Sequence, residues 1–244
     1  MKPADARQWQ CPPKTVVVGV DFGEASTRAL AIARVLANGF QAHLRALYAE
    51  RFEPPPYFTI DQITRLEAER HLAQAAATDH LARFVAASAY QVESLVVDAT
   101  PVDAILDGSA GADLIVLGTH GRRGPGRWWL GSVAERVVRV SPVPVLVTRA
   151  AHTPPAEVFE RVALVQDGGD MNETARRYAT HLASIGSSPL VESGAIAQCR
   201  PEVLQHASLI VMTTNSDRPS WGLTDPVARV LGSCERPVLF IPVP

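Results

Sequence analysis

The sequence predicts an α/β fold made of two tandem doubly wound parallel-sheet domains of Rossmann-like form, the second truncated. Three observations predict it. Compact apolar runs, such as Thr15-Val16-Val17-Val18-Gly19-Val20 and Leu114-Ile115-Val116-Leu117, alternate with segments of helical apolar spacing. The runs lack polar alternation, as strands covered on both faces do, and helix-length crossovers between them require parallel pairing. A shorter version of the same order then reappears in the C-terminal part of the chain.

Residues 1–13 are polar and proline-bearing, without an apolar core of signal-peptide length, and read as a flexible leader. The first strand runs from Lys14 to Val20 and ends at Asp21. A helix begins near Ala25, buries Ala29, Ile32, Ala33 and Leu36, and meets a stop signal at Asn38-Gly39. The second strand spans about Ala42 to Tyr48. After the proline-rich connection Phe52 to Tyr57, Thr59 and Gln62 have capping-box spacing and open a long helix to about Ser88. Glu67, Glu69, His71 and His80 on it read as a solvated face rather than a metal site, because His71 and His80 do not share adjacent turns. Gln91 to Val97 is the third strand. Thr100-Pro101 starts a short helix that ends around Gly108 to Gly111, and the fourth strand follows.

The stretch from Gly118 to Ser132, G-T-H-G-R-R-G-P-G-R-W-W-L-G-S, joins that strand to the next helix. Glycines let a backbone curl around an anion, and a helix start presents unpaired N–H groups to it. Arg122, Arg123 and Arg127 add positive charge. The spacing is neither the Walker A loop nor the dinucleotide fingerprint. Ser132 and Glu135 have capping-box spacing, so Ser132 also reads as a helix cap. The helix ends at Ser141-Pro142, and Val145 to Thr148 is the fifth strand. Ligands of such sheets lie beyond the strand C-termini, where Asp21 and the glycine loop both fall.

Residues 151–160 read as a linker and 161–244 as the shortened second copy. Val162 to Asp167 parallels the first strand and its terminal Asp21. Leu209 to Met212 and Pro237 to Phe240 parallel the fourth and fifth strands. Only one strand and one short helix fit between Gly186 and Ser208. Thr213 to Ser216 stands where Gly118 to Gly121 stood, and Thr224-Asp225-Pro226 where Gly131-Ser132-Val133 stood, so the anion cradle is lost there.

Composition narrows the function classes. A net charge of −2 argues against general polyanion binding. Cys11, Cys199 and Cys234 give no metal spacing or disulfide framework, and a reducing cytoplasm is the simplest setting. No run reaches transmembrane length.

The glycine spacing Gly118, two residues, Gly121, nine residues, Gly131-Ser132 is similar to the nucleotide loop of the universal stress protein family. Ala112 to Leu117 before it, and Val133 to Val138 and Pro144 to Val147 after it, also resemble that family. The resemblance covers a full domain (14–150) and a degenerate one after it. It implies one ATP site, in the first domain. Gly19, Val20 and Asp21 would meet the adenine and ribose, with Leu47 and Leu117 in the same site. Gly118, His120, Gly121, Arg122, Gly131, Ser132 and Val133 would hold ribose and phosphates. Asp21 could help hold a Mg²⁺ through water, and His120 could position a water. The chain departs from the family at Asp21-Phe22-Gly23 and in Pro125 and Trp128-Trp129.

The function expected is a cytoplasmic nucleotide-binding stress-response regulator, at most a weak ATPase, with no nucleic-acid or membrane partner. The alternative is an interaction module without nucleotide. In the family, paired domains associate through their last strands, so Val145–Thr148 and Val238–Ile241 would pair within the chain; a further homodimer is left open.

Overall fold

Val16, Val17 and Val18 of the first strand, β1 (Thr15–Val20), are all fully buried, which explains a run with no polar alternation. A computed structural model describes residues 9–51, 60–86, 90–119, 130–149, 154–166, 172–195, 204, 206–215 and 236–243 of the chain. After β1 come α1 (Glu24–Phe40), β2 (His43–Ala49), α2 (Ile60–Val85), β3 (Val92–Val97), α3 (Pro101–Gly108), β4 (Leu114–Thr119), α4 (Ser132–Val140) and β5 (Val145–Arg149). A 3₁₀ turn (Pro155–Phe159) leads to β6 (Val162–Gln166), α5 (Glu173–Ile185), β7 (Val191–Ala195), β8 (Leu209–Asn215) and β9 (Val238–Val243).

The strands form one nine-stranded sheet in the order β3-β2-β1-β4-β5-β9-β8-β6-β7. Every neighbouring pair is parallel except β5 and β9, which run antiparallel with Val145 opposite Phe240 and Val147 opposite Val238. Two apolar cores cover the two faces, and each crosses the β5–β9 joint. Val16, Leu36 and Leu114 share one with Tyr178, Leu182 and Leu209. Val17, Leu117 and Val137 share the other with Val165, Met212 and Phe240.

Local signals explain the starts of two helices. Thr100 caps α3, accepting from the Asp103 N–H at 3.4 Å, with proline at the first helical position. Asn172 caps α5, accepting from the Ala175 N–H at 3.1 Å. The end of α1 differs from the sequence expectation. The helix runs past Asn38-Gly39 to Phe40, and Gln41 takes the left-handed conformation at φ 52°. Gly39 has another use: a Cβ there would lie 3.1 Å from Cγ1 of Ile185, so its absence lets α5 approach α1.

Within the segment read as a leader, Trp9 packs on Tyr178 at 5.7 Å between ring centroids and Pro13 is buried. Within the segment read as a linker, Val158 and Phe159 are both fully buried. The cap expected at Thr59 lies outside the described residues.

Tyr178 is fully buried, and its hydroxyl has no hydrogen-bond partner among the described residues. Burial pushes its pKa well above the ordinary tyrosine value, with the charges of Cys11 and Asp113 adding to the rise. An unpaired buried hydroxyl costs about 1–3 kcal/mol. Tyr178→Phe is therefore expected to raise stability by about 1 kcal/mol, read as a higher urea midpoint with an unchanged slope. A lower midpoint would contradict this account.

Candidate functional site

β1 lies between β2 and β4, so the C-terminal ends of all three open on one edge of the sheet. A cleft of about 280 Å³ sits there. Of the sequence-predicted residues, Gly19, Val20, Asp21, Leu47, Leu117, Gly118 and Val133 line it. Ser26, Ala49, Pro101, Ile105 and Ala134 also line it, and sequence reasoning missed them. Strand order was the signal that could have found them. Once β2, β1 and β4 are neighbours, the first turns of α1, α3 and α4 must close over the same edge.

Gly131 and Ser132 stand at the start of α4, next to the lining residue Val133 but not themselves in the wall. Gly131 is the cap residue, at φ 76° and ψ 151°, a conformation suited to glycine. Ser132 is the first helical residue, is exposed, and does not act as the cap. The capping-box spacing with Glu135 was misleading here. Glu135 instead accepts from Arg139 Nη2 at 2.6 Å, one turn on. His120, Gly121 and Arg122 lie outside the described residues, as do Arg123, Pro125, Arg127, Trp128 and Trp129.

Gly118 has a packing reason to be glycine. A Cβ there would lie 2.2 Å from the Ala25 carbonyl oxygen, so the first turn of α1 rests directly on the end of β4. Asp21 is exposed at the mouth, and its Oδ1 accepts the Gly23 N–H at 2.9 Å. Between them, Phe22 adopts the left-handed conformation at φ 60°. Left-handed backbone costs a non-glycine residue about 1–2 kcal/mol, and ring packing holds it in place. The Phe22 ring stacks on His80 at 4.1 Å, lies 4.6 Å from Tyr48 and meets Phe84 edge-on at 5.4 Å. His80 of the solvated-face reading is thus exposed but stacked on Phe22.

The walls formed by Leu47, Ala49, Ile105, Leu117 and Val133 are apolar. Asp21 is the one charged residue among the described lining residues. Ser26, 3% exposed, donates to the Gly23 carbonyl at 3.1 Å, and its oxygen keeps the capacity to accept. Helix starts at α1, α3 and α4 surround the opening and favour negative charge near it. The arrangement offers an apolar-walled cleft bordered by the starts of three helices.

Fold and cleft together define a doubly wound α/β protein with a ligand-sized opening at its strand ends. Residues 13–149 match the model of the universal stress protein family. Over 145 residues the chain is 34% identical to a universal stress protein of Thermus aquaticus, covering 56% of this chain and 98% of that one. The fold is similar over 94% of the chain to a solved universal stress protein from Archaeoglobus fulgidus, covering 98% of it, with a TM-score of 0.68 and 16% identity. It is similar over the same share to a protein of unknown function from Pseudomonas aeruginosa, covering 92% of it, with a TM-score of 0.64 and 17% identity. This chain belongs to the universal stress protein family. No described helix is long and apolar enough to cross a membrane.

Proposed function

We propose that this stress-response protein binds one adenine nucleotide, with ATP as the reference ligand, in the cleft beside α4. The carrying observation is that seven residues chosen from four separate stretches of sequence line one opening. In this reading the base lies against Leu47, Ala49 and Ile105. The ribose sits near Asp21 and Gly118. The phosphates run to the start of α4 at Gly131 and Ser132 and to His120, Gly121 and Arg122 of the adjoining loop. Asp21 is the carboxylate that would meet a Mg²⁺ carried by the phosphates. Among the described residues the cleft holds no acid–base pair, and in this reading the protein acts as a nucleotide-responsive regulator with at most slow hydrolysis.

The C-terminal part serves as a degenerate second copy and an intrachain partner, pairing through Val145–Thr148 and Val238–Ile241. With Val16 paired to Leu114 and Val162 to Leu209, this reading takes Val165 and Thr213 as the counterparts of Gly19 and Gly118. A threonine at the second position removes the close helix approach that glycine permits, which supports a single site.

Ser132→Asp tests the reading. An acidic residue in the first turn favours the helix by about 0.3–1 kcal/mol, so the fold is retained while phosphate is repelled. ATP affinity by calorimetry is expected to fall at least about tenfold, the equivalent of 1.4 kcal/mol. Gly131→Asp is a poorer probe, because φ 76° strains any side chain. Native mass spectrometry should show one ATP per chain. A chain that takes no adenine nucleotide at millimolar concentration would leave the interaction-module reading in its place.

A further inference from the structure

The residues Arg45, Leu47 and Ala49 alternate along β2 and so share one face of the sheet. Leu47 belongs to the core under α3, with Ile105 and Leu117. Arg45 Nη1 donates to the Gly108 carbonyl at 3.2 Å, and its Nε holds Glu93 at 2.9 Å. These bonds tie the last residue of α3 down onto β2. A Cβ on Gly108 would lie 2.0 Å from Leu47 Cδ1 and 3.5 Å from Leu95 Cδ2. Leu47 therefore occupies the space that a side chain on residue 108 would need. It is 1% exposed, forming the cleft floor without standing up into it.

We infer that Gly108, which does not line the cleft, sets the cleft's depth at its β2 end and so determines which base fits. The inference rests on the nucleotide reading above. A methyl group at residue 108 displaces the end of Leu47. The Arg45 bond keeps α3 from lifting, and Leu95 closes the side toward β3. The cleft is the open direction, so the displaced methyl enters the slot meant for the base. Gly19 plays the same part across the floor, where a Cβ would lie 2.7 Å from Leu117 Cδ2. A two-ring purine needs the full depth, whereas a one-ring pyrimidine does not. Gly108 is thus a specificity-determining residue acting through Leu47.

Calorimetric titration of the full chain with ATP and CTP tests this, using the unaltered protein, Gly108→Ala, Leu47→Val and the double variant. One methyl group in an apolar pocket is worth about 10–200-fold in discrimination. Gly108→Ala is expected to weaken ATP by at least about tenfold and CTP by less than about threefold. Valine at 47 ends short of the clash, so the double variant is expected to bind ATP as tightly as Leu47→Val alone. If Gly108→Ala does not fold, the double variant carries the test, because its clash is relieved. Equal ATP affinity of Gly108→Ala and the unaltered protein overturns the inference alone, as does a double variant at least tenfold weaker than Leu47→Val. Failure of the unaltered protein to bind any adenine nucleotide overturns the nucleotide reading, and this inference with it.

Discussion

Gly118→Val is expected to lower the melting temperature by about 6–12 °C. The added Cβ would sit 2.2 Å from the Ala25 carbonyl oxygen and 2.8 Å from the Ser26 nitrogen. Both are main-chain atoms of α1, so no side chain can rotate away to make room. The first turn of α1 must back off from β4, and with it Ser26 and the wall of the cleft. Overpacking of this kind costs about 3 kcal/mol, at the upper end of the usual range. For a chain of this size each kcal/mol moves the melting temperature by about 2–4 °C. Scanning calorimetry checks the shift. A variant that melts within 2 °C of the parent would show that α1 does not rest on β4 as described. The contrast with Gly108 is useful, since there the obstacle is the mobile end of a leucine and the expected loss is in binding.

Asp113→Ala is the second large effect. This carboxylate is 7% exposed and accepts three main-chain N–H groups, from Gln10 at 2.7 Å, Lys14 at 2.9 Å and Thr15 at 3.0 Å. It fastens residues 10–15 to the start of β4. Alanine leaves those donors without an acceptor in a partly buried setting. At about 1–3 kcal/mol for each buried unpaired group, discounted for the water that can reach them, the loss is about 2–4 kcal/mol. Urea unfolding measures the total. Hydrogen exchange distinguishes the cause, because protection should fall first at Lys14 and Thr15. Uniform loss across the sheet with those amides still protected would contradict the role given to Asp113.

The strands were legible because burial on both faces leaves little room for polar residues. Thr15 to Val20 and Leu114 to Leu117 show this directly, and their strand bounds match the structure within a residue or two. The α3 start was legible because Thr100-Pro101 carries its own cap chemistry. Signals that depend on a distant partner were not readable. Gly39 looked like a helix stop, but its glycine answers to Ile185 on α5. Gly108 was rightly read as the end of a helix, but its second use, leaving room for Leu47, depends on a residue far off in sequence. Ser132 had the spacing of a cap, whereas the unusual backbone of Gly131 supplies the turn. Trp9 sat in a polar stretch, and only the position of Tyr178 explains why it is held.

Within the cleft, residues at strand ends were found, Ala49 excepted, and residues in the first turns of helices were mostly not. Val20, Asp21 and Leu117 follow from where apolar runs stop. Ser26, Pro101 and Ala134 follow only from strand order, because each faces the opening across a neighbouring strand or helix. Phe22 is a separate case. Its φ of 60° could not be inferred from a residue type that avoids that region. The rings of Tyr48, His80 and Phe84 that secure it come from two elements well separated in sequence.

The antiparallel joint between β5 and β9 has a consequence for how the molecule behaves at low abundance. Two separate subunits meeting edge to edge would come apart on dilution, and the fraction assembled would follow their number in the cell. Here the second strand arrives on the same chain, so its local concentration is fixed by covalent connection. The joined sheet is the same whether the cell holds a few copies or many.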